Sequence, residues 1–241
     1  MDKAFLYRLY PSKLQDESLA HLLDIARAFY NAGLQERRDA WKYGISINYY
    51  DQANQLKEIR NTTTEYALLN YSATQDVLRR LDKTFKSFFR RVKAGGKVGY
   101  PRFKGRDRFN SIIFPAYGDG IKLRDNRLYV QNVGLVKIKM HRSLEGGINT
   151  VTIKRDCDKW YAVFSNTVEV KPLPASDKQV GIDVGLESFA VTSDGEVIDN
   201  LRYFREAQAG LRKAQRKVSR RKKGSHNRHK AMALLEKHHL K

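Results

Sequence analysis

Apolar positions along this chain follow one period and then another, and each change predicts a new kind of element. Residues 3 to 10 alternate, placing Phe5, Tyr7 and Leu9 on one face of a strand that Pro11-Ser12 ends. Leu19, Leu22, Leu23, Ala26, Phe29 and Tyr30 then recur at helical spacing, with Leu34 and Trp41 extending the stripe and Tyr43-Gly44 ending it. A weaker helical pattern covers about residues 50 to 69. A third helix is predicted from Ser72, where Ser72 and Gln75 have the spacing of a capping box. Its apolar seam is Leu78, Leu81, Phe85, Phe88 and Val92, and Gly95-Gly96 supplies the stop. Phe85, Phe88, Trp41 and Trp160 read as core.

From residue 111 to 170 the period shortens to that of strands. Ile112-Ile113-Phe114, Ile121-Lys122-Leu123, Leu128-Tyr129-Val130, 136 to 140, 150 to 154 and 160 to 164 are the predicted strands, punctuated by Gly118-Asp119-Gly120 and Asp125-Asn126. This spacing suits a small β-barrel that takes in the strand at 3 to 10 and makes the helices an insertion. Lys171-Pro172-Leu173-Pro174 reads as a stiff linker. Two more strands follow, at 180 to 186 and 188 to 192, then a Ser193-Asp194-Gly195 turn and a third strand at 196 to 199. From Arg202 the pattern is helical, with a break at Gly224-Ser225.

Charge changes this picture. The chain has 241 residues, 41% of them hydrophobic, which is enough for a real core. Its formal charge is +20. Residues 78 to 108 carry a net +10 and residues 202 to 241 a net +12, which leaves −2 for all the rest. A generally solvated surface spreads its cations evenly; two unmatched basic tracts point to a polyanionic partner. Between the tracts' helices, Gly99-Tyr100-Pro101-Arg102-Phe103-Lys104 alternates rings and cations, which suits either bases and phosphates or a loop tucked into its own domain. The run Arg220 to Lys223 has four adjacent like charges and no acid to relieve them.

Cys157 is the only cysteine, which excludes an intrachain disulfide and a thiolate zinc site in these residues. The charged start is unlike a signal peptide, and no apolar run approaches the roughly 20 residues of a membrane span. The expectation is a soluble intracellular protein of bacterial style, cytoplasmic and nucleoid-associated. His226, His229, His238 and His239 lack a carboxylate shell and read as part of a basic face; His21 and His141 have no evident partners.

One acid stands out. Asp183 sits in Val180-Gly181-Ile182-Asp183-Val184-Gly185-Leu186, and a carboxylate inside a buried strand is costly unless it is paired or binds a metal. Such an Asp on the first strand is how an RNase H-like nuclease sheet begins. Taken together, four features resemble the TnpB/OrfB family, insertion-sequence relatives of single-effector CRISPR nucleases. They are the helix from Arg79-Arg80-Leu81-Asp82-Lys83 to Arg90-Arg91-Val92-Lys93, the 99 to 104 segment, Thr150-Val151-Thr152-Ile153 before an aromatic strand, and Gly181-Ile182-Asp183-Val184-Gly185 followed by the basic stretch at 215 to 230.

The resemblance implies an α+β, multidomain protein. A wedge-type β-barrel (1–12 and 108–172) holds an inserted helical recognition region (13–107), and an incomplete RNase H-like (RuvC) domain with basic helices follows (176–241). It implies a guide RNA and a double-stranded DNA target, with base pairing reading sequence and the protein holding backbone. That backbone contact falls to Arg79, Arg80, Lys83, Lys86, Arg90, Arg91, Lys93, Lys97, Arg102 and Lys104, with Tyr100 and Phe103. In the second tract it falls to Arg212, Lys213, Arg216, Lys217, Arg220, Arg221, Lys222, Lys223 and Arg228. It makes Asp183 a catalytic carboxylate and Mg²⁺ ligand. The family's later Glu, its CxxC zinc pairs and its final Asp have no counterpart in these residues, and Glu187, Asp194 and Asp199 are poor stand-ins. Two-metal cleavage needs several carboxylates, so these residues alone are not expected to cut. The alternative is a shortened, nuclease-dead RNA-guided binding protein or repressor. An actin-like ATPase also opens with Ile-Asp-x-Gly, but it needs a second Gly-rich phosphate loop that is missing here.

Overall fold

A computed structural model describes residues 1–96, 98–156, 158–170, 177 and 179–239, apart from the side chain of Asp107. Lys97, Cys157 and the expected linker at 171 to 174 lie outside the described residues. The chain divides into two units, Met1–Val170 and Lys171–Lys241.

In the first unit the alternating stretch forms β1 (Asp2–Tyr10), with Phe5, Tyr7 and Leu9 all buried. It lies in the middle of a seven-stranded antiparallel sheet together with β2 (Ser111–Phe114), β3 (Ile121–Arg124), β4 (Arg127–Val130), β5 (Gly134–Lys139), β6 (Gly147–Asp156) and β7 (Lys159–Thr167). The order is β2-β6-β7-β1-β5-β4-β3. Register sets Phe5 opposite Phe164 and Leu9 opposite Trp160, so the strand's apolar face meets that of its neighbour. The sheet is curled, and its end strands β2 and β3 form no ladder with each other. All six strands predicted between 111 and 170 are present.

The helices share the sheet's core. α1 (Lys13–Lys42) starts at a reciprocal cap in which Ser12 Oγ accepts the Gln15 N–H and Gln15 Oε1 accepts the Ser12 N–H. Gln15 also donates to the Leu135 carbonyl at 3.0 Å, tying the helix start to β5. Leu19, Leu22, Ala26, Phe29 and Leu34 are buried as their spacing predicts. Trp41 is not core: it is 66% exposed, and the last buried residue of α1 is Arg37, one turn earlier. Trp160 is buried at 1%.

The weak second pattern resolves into α2 (Tyr49–Thr62) and a 3₁₀ turn at Thr64–Leu68. α3 (Tyr71–Lys93) begins one residue before the predicted Ser72, and its cap is Asn70, whose side chain accepts the Ala73 N–H at 3.1 Å. Ser72 does not cap; its single hydroxyl proton lies between Asn70 Oδ1 and the Asp119 carboxylate, joining the helix start to the turn before β3. Leu78, Leu81 and Phe85 are buried, whereas Phe88 is half-buried and Val92 and Phe89 are largely exposed. Like α1, this helix leaves the core in its last turns. Gly33 lets α1 and α3 approach, since a Cβ there would sit 3.1 Å from a methyl of Leu81.

The second unit contains β8 (Ile182–Asp183), β9 (Ser188–Thr192) and β10 (Val197–Asp199), ordered β10-β9-β8, then α4 (Tyr203–Ser219) and α5 (His226–His239). The two helices pack on small residues, with Ala214 and Ala231 buried and Gly210 against the His238 ring.

Candidate nucleic-acid interface

Asp183 is exposed, which corrects the expectation of a buried strand. Its two-residue strand pairs only with β9, and Ile182, Val184 and Leu186 around it are exposed too. The cost of burying a lone carboxylate is therefore not incurred in this structure. Asp183 lies opposite Val191, and Asp199 opposite Ser188, two strands and three residues away. At about 4.8 Å per strand and 3.4 Å per residue, their Cα atoms are about 14 Å apart. Two metals held about 4 Å apart need carboxylates much closer than that. Asp194 belongs to the turn, where Ser193 Oγ accepts the Gly181 N–H at 3.0 Å. Among the described residues no three His, Cys, Asp or Glu side chains group to hold a metal. The described residues do not make a two-metal site.

The first basic tract divides by environment. Arg80 points inward: its Nη1 donates to the Ser111 carbonyl at 2.9 Å, its guanidinium lies 4.8 Å from the Phe109 ring, and burial lowers its pKa. It secures β2 to α3. Arg79 lies over Tyr49 at 5.4 Å, and Lys83, Arg90, Arg91 and Lys93 are exposed. Lys86 pairs with Asp82 at 2.9 Å but is 78% exposed, and such a surface pair is weak enough to exchange for a phosphate. Asp82 itself is held from the other side by Arg37. Burial pushes its pKa up, but the hydrogen bonds from Lys86 and Arg37 outweigh that and hold the carboxyl below the usual range.

The 99 to 104 segment is anchored at both ends. Tyr100 packs edge-on to Phe85 and Phe88, and burial raises the pKa of its hydroxyl. Asn31 clasps the Lys104 backbone, donating to its carbonyl and accepting its N–H. Arg102 and Phe103 between them are exposed. Tyr100 and Lys104 are thus tucked into their own domain, whereas Arg102 and Phe103 face outward.

The second tract lies on α4 and the following turn. Arg212, Lys213, Arg216, Lys217, Arg220, Arg221, Lys222 and Lys223 are exposed, and among the described residues none of them forms an ion pair. Arg228 differs, because its Nη1 donates to the carbonyls of Val218 and Arg221. It satisfies the end of α4 and fixes the turn into α5. Of the histidines, His226, His229 and His239 are exposed, while His238 packs on Gly210. Two others have partners the sequence did not suggest: His21 lies 3.4 Å from Glu65, and the His141 ring sits 5.2 Å from that of Tyr7.

Sequence reasoning also missed Arg37. It is buried, with Nε on Gln52 at 2.8 Å and Nη1 on Asp82 at 3.1 Å. Nothing in the local sequence sets Arg37 apart from Arg38 beside it, and only contact across 45 residues joins it to Asp82.

Two family profiles match this chain. Residues 161–241 match OrfB_IS605, described as a probable transposase, and residues 1–46 match the helix-turn-helix domain named for the same family. The chain belongs to the TnpB/OrfB family. Within residues 1–46 this TnpB/OrfB chain has β1 followed by one continuous helix. It is 32% identical to a candidate RNA-guided DNA endonuclease of Streptomyces pristinaespiralis, covering 99% of this chain and 60% of that protein. It is 29% identical to InsQ of Escherichia coli (strain K12), which bears the same description, covering 98% of this chain and 58% of that one. The chain thus spans about three fifths of the length of these relatives. A looser likeness is to Cas12f1 in a cryo-EM structure of a Cas12f1–sgRNA–target DNA complex, with TM-score 0.44, 16% identity, and all of this chain set against 65% of that one. Among the described residues no helix is long and apolar enough to cross a membrane.

Proposed function

We propose that this chain is the nucleic-acid-holding part of a transposon-encoded, RNA-guided DNA endonuclease, with a guide RNA and a double-stranded DNA target as its partners. In this reading the strands of 1–12 and 108–172 make the wedge-type barrel, 13–107 is the recognition region, and 176–241 opens the RuvC-like domain. The observation that carries it is the exposed cationic surface of α4 and its turn, free of ion pairs among the described residues, matched by Lys83, Lys86, Arg90, Arg91 and Lys93 on α3. Backbone phosphates ask for such a surface, since holding a heteroduplex requires charge and shape rather than base-specific side chains. Arg80 and Arg228 act behind it, holding the helices that present it.

Asp183 contributes one carboxylate toward a Mg²⁺ site that needs further carboxylates to be complete. The family membership and the relatives' names support this role, and the exposure of Asp183 leaves it reachable. These 241 residues are accordingly expected to bind nucleic acid without cutting it. The test is binding of the purified chain to an RNA–DNA heteroduplex and to duplex DNA at several salt concentrations, with Mg²⁺ present. Tight, strongly salt-dependent binding and intact DNA are expected. Failure to bind, or binding that salt does not weaken, refutes the reading.

A further inference from the structure

Where α1 and α3 leave the core together, their last turns bound a cavity of about 420 Å³ in the first unit. Trp41, Ile45, Phe85, Phe88, Phe89 and Tyr100 supply its apolar lining. The rings meet edge-on rather than filling the space: Phe88 and Phe89 have centroids 5.2 Å apart at 62°, and Phe88 and Tyr100 5.5 Å apart at 72°. Trp41 and Phe89 remain substantially exposed, an expense for a soluble surface unless something covers them. The size is that of a pocket for a small organic group.

Arg37 lines the same cavity, and it is more than nine-tenths buried. Its guanidinium lies 5.1 Å from the Phe85 ring. Nε and Nη1 are occupied by Gln52 and Asp82, but Nη2 is buried without a hydrogen-bond partner. A buried donor left unmade calls for an acceptor. At the mouth stands Lys86, exposed and only loosely engaged by Asp82, with exposed Arg90 one turn further along α3.

A ligand that satisfies all three features is planar, carries a carbonyl or ring-nitrogen acceptor, and is attached to an anion. An apolar peptide side chain meets the first feature but neither of the others, and the +10 charge of the surrounding tract favours a polyanion. We propose that the cavity receives one unpaired nucleobase of a single-stranded nucleic acid, stacked among Trp41, Phe89 and Tyr100, with Arg37 Nη2 donating to the base and Lys86 on the adjoining phosphate. Stacking on rings is tolerant of sequence, so the site selects unpaired over paired bases rather than one base over another. This inference rests on the nucleic-acid binding proposed above.

The chain carries its own reporter, since of its two tryptophans Trp41 is exposed at the cavity and Trp160 is buried. Tryptophan emission would be followed on adding oligothymidine, an abasic deoxyribose-phosphate chain of equal length, or a blunt DNA duplex. Oligothymidine is expected to quench the emission, and Trp41→Phe to abolish the quench. Phe89→Ala should weaken oligothymidine binding about tenfold, leave the abasic chain and duplex unaffected, and leave the blue emission of Trp160 in place as a check on folding. The inference is overturned by quenching with the abasic chain, by equal losses for all three ligands, or by oligothymidine binding without a quench. It is also overturned if Phe89→Ala abolishes a concentration-dependent dimer, which would make a second copy the occupant. If none of the three ligands binds, the proposed function fails with it. If the abasic chain and duplex bind normally but the quench is missing, only this inference fails.

Discussion

Asp82 shows how much one carboxylate can organise. It accepts Arg37 on one oxygen and Lys86 on the other, so it neutralises a buried guanidinium while leaving an exposed ammonium near the surface. Asp82→Asn leaves the buried Arg37 guanidinium with neutral amide acceptors only and no counter-charge. Breaking a buried pair by removing one partner costs about 3–5 kcal/mol, and the partial exposure of Asp82 puts the expected loss near or below the lower figure, measurable by chemical denaturation. Its folded-state pKa is depressed from the ordinary 3.8, as is that of Asp24, which Arg106 and Arg27 hold in the ionised form. A depressed carboxylate pKa stabilises the fold above the ordinary value, and that contribution is lost as pH falls through the folded-state value. The contribution of these two carboxylates is therefore expected to be lost below about pH 4, against the opposite effect of Asp76, whose pKa burial raises, and the drop should be shallower in Asp82→Asn. Gly146 makes a second prediction of the same kind. Its φ is +70°, and a Cβ would lie 2.1 Å from the Thr167 carbonyl oxygen, which is backbone and cannot step aside. Gly146→Ala should cost about 1–3 kcal/mol and lower Tm, where an ordinary surface Gly→Ala change does not.

At the scale of elements, the same residue type serves two purposes on one helix pair. Replacing Arg212, Lys213, Arg216 and Lys217 of α4 by Gln removes cations that form no ion pair among the described residues, so the fold should be unaffected. The slope of log K against log salt for duplex DNA should become shallower by about 3–4, close to one for each phosphate that is no longer neutralised. Arg228→Gln should do the reverse. It releases the Val218 and Arg221 carbonyls, so amide exchange at the end of α4 should speed up while the salt slope changes by less than about one. Equal effects from the two variants on both measurements would remove the distinction drawn between them. The helices were legible because caps and stripes are local. The predicted start at Ser72 missed Asn70, which takes the cap, while the Ser72 hydroxyl is engaged by Asp119 from 47 residues away.

For the whole molecule, the expectation is binding without cutting. Asp183→Ala in these 241 residues should leave affinity for heteroduplex unchanged, because Asp183 is an exposed anion remote in sequence from the basic faces, and no Mg²⁺-dependent nicking of DNA should be seen with either form. Mg²⁺-dependent nicking that Asp183→Ala abolished would refute the view that one carboxylate is insufficient. The order of the elements, the two concentrations of charge, the Asp183 motif and the family were all readable from the amino-acid sequence. Each depends on the identity or spacing of neighbouring residues, which period and composition report directly. The exposure of Asp183 and Trp41 and the cavity at Arg37 were not. Nor was the division of the arginines into those that hold the protein together and those that face outward. Arg79 and Arg80 are adjacent and chemically identical, and only the arrival of Ser111 and Phe109 beside one of them makes it structural. Burial and hydrogen-bond partnership are properties of the space around a side chain, and that space is filled by segments far away along the chain.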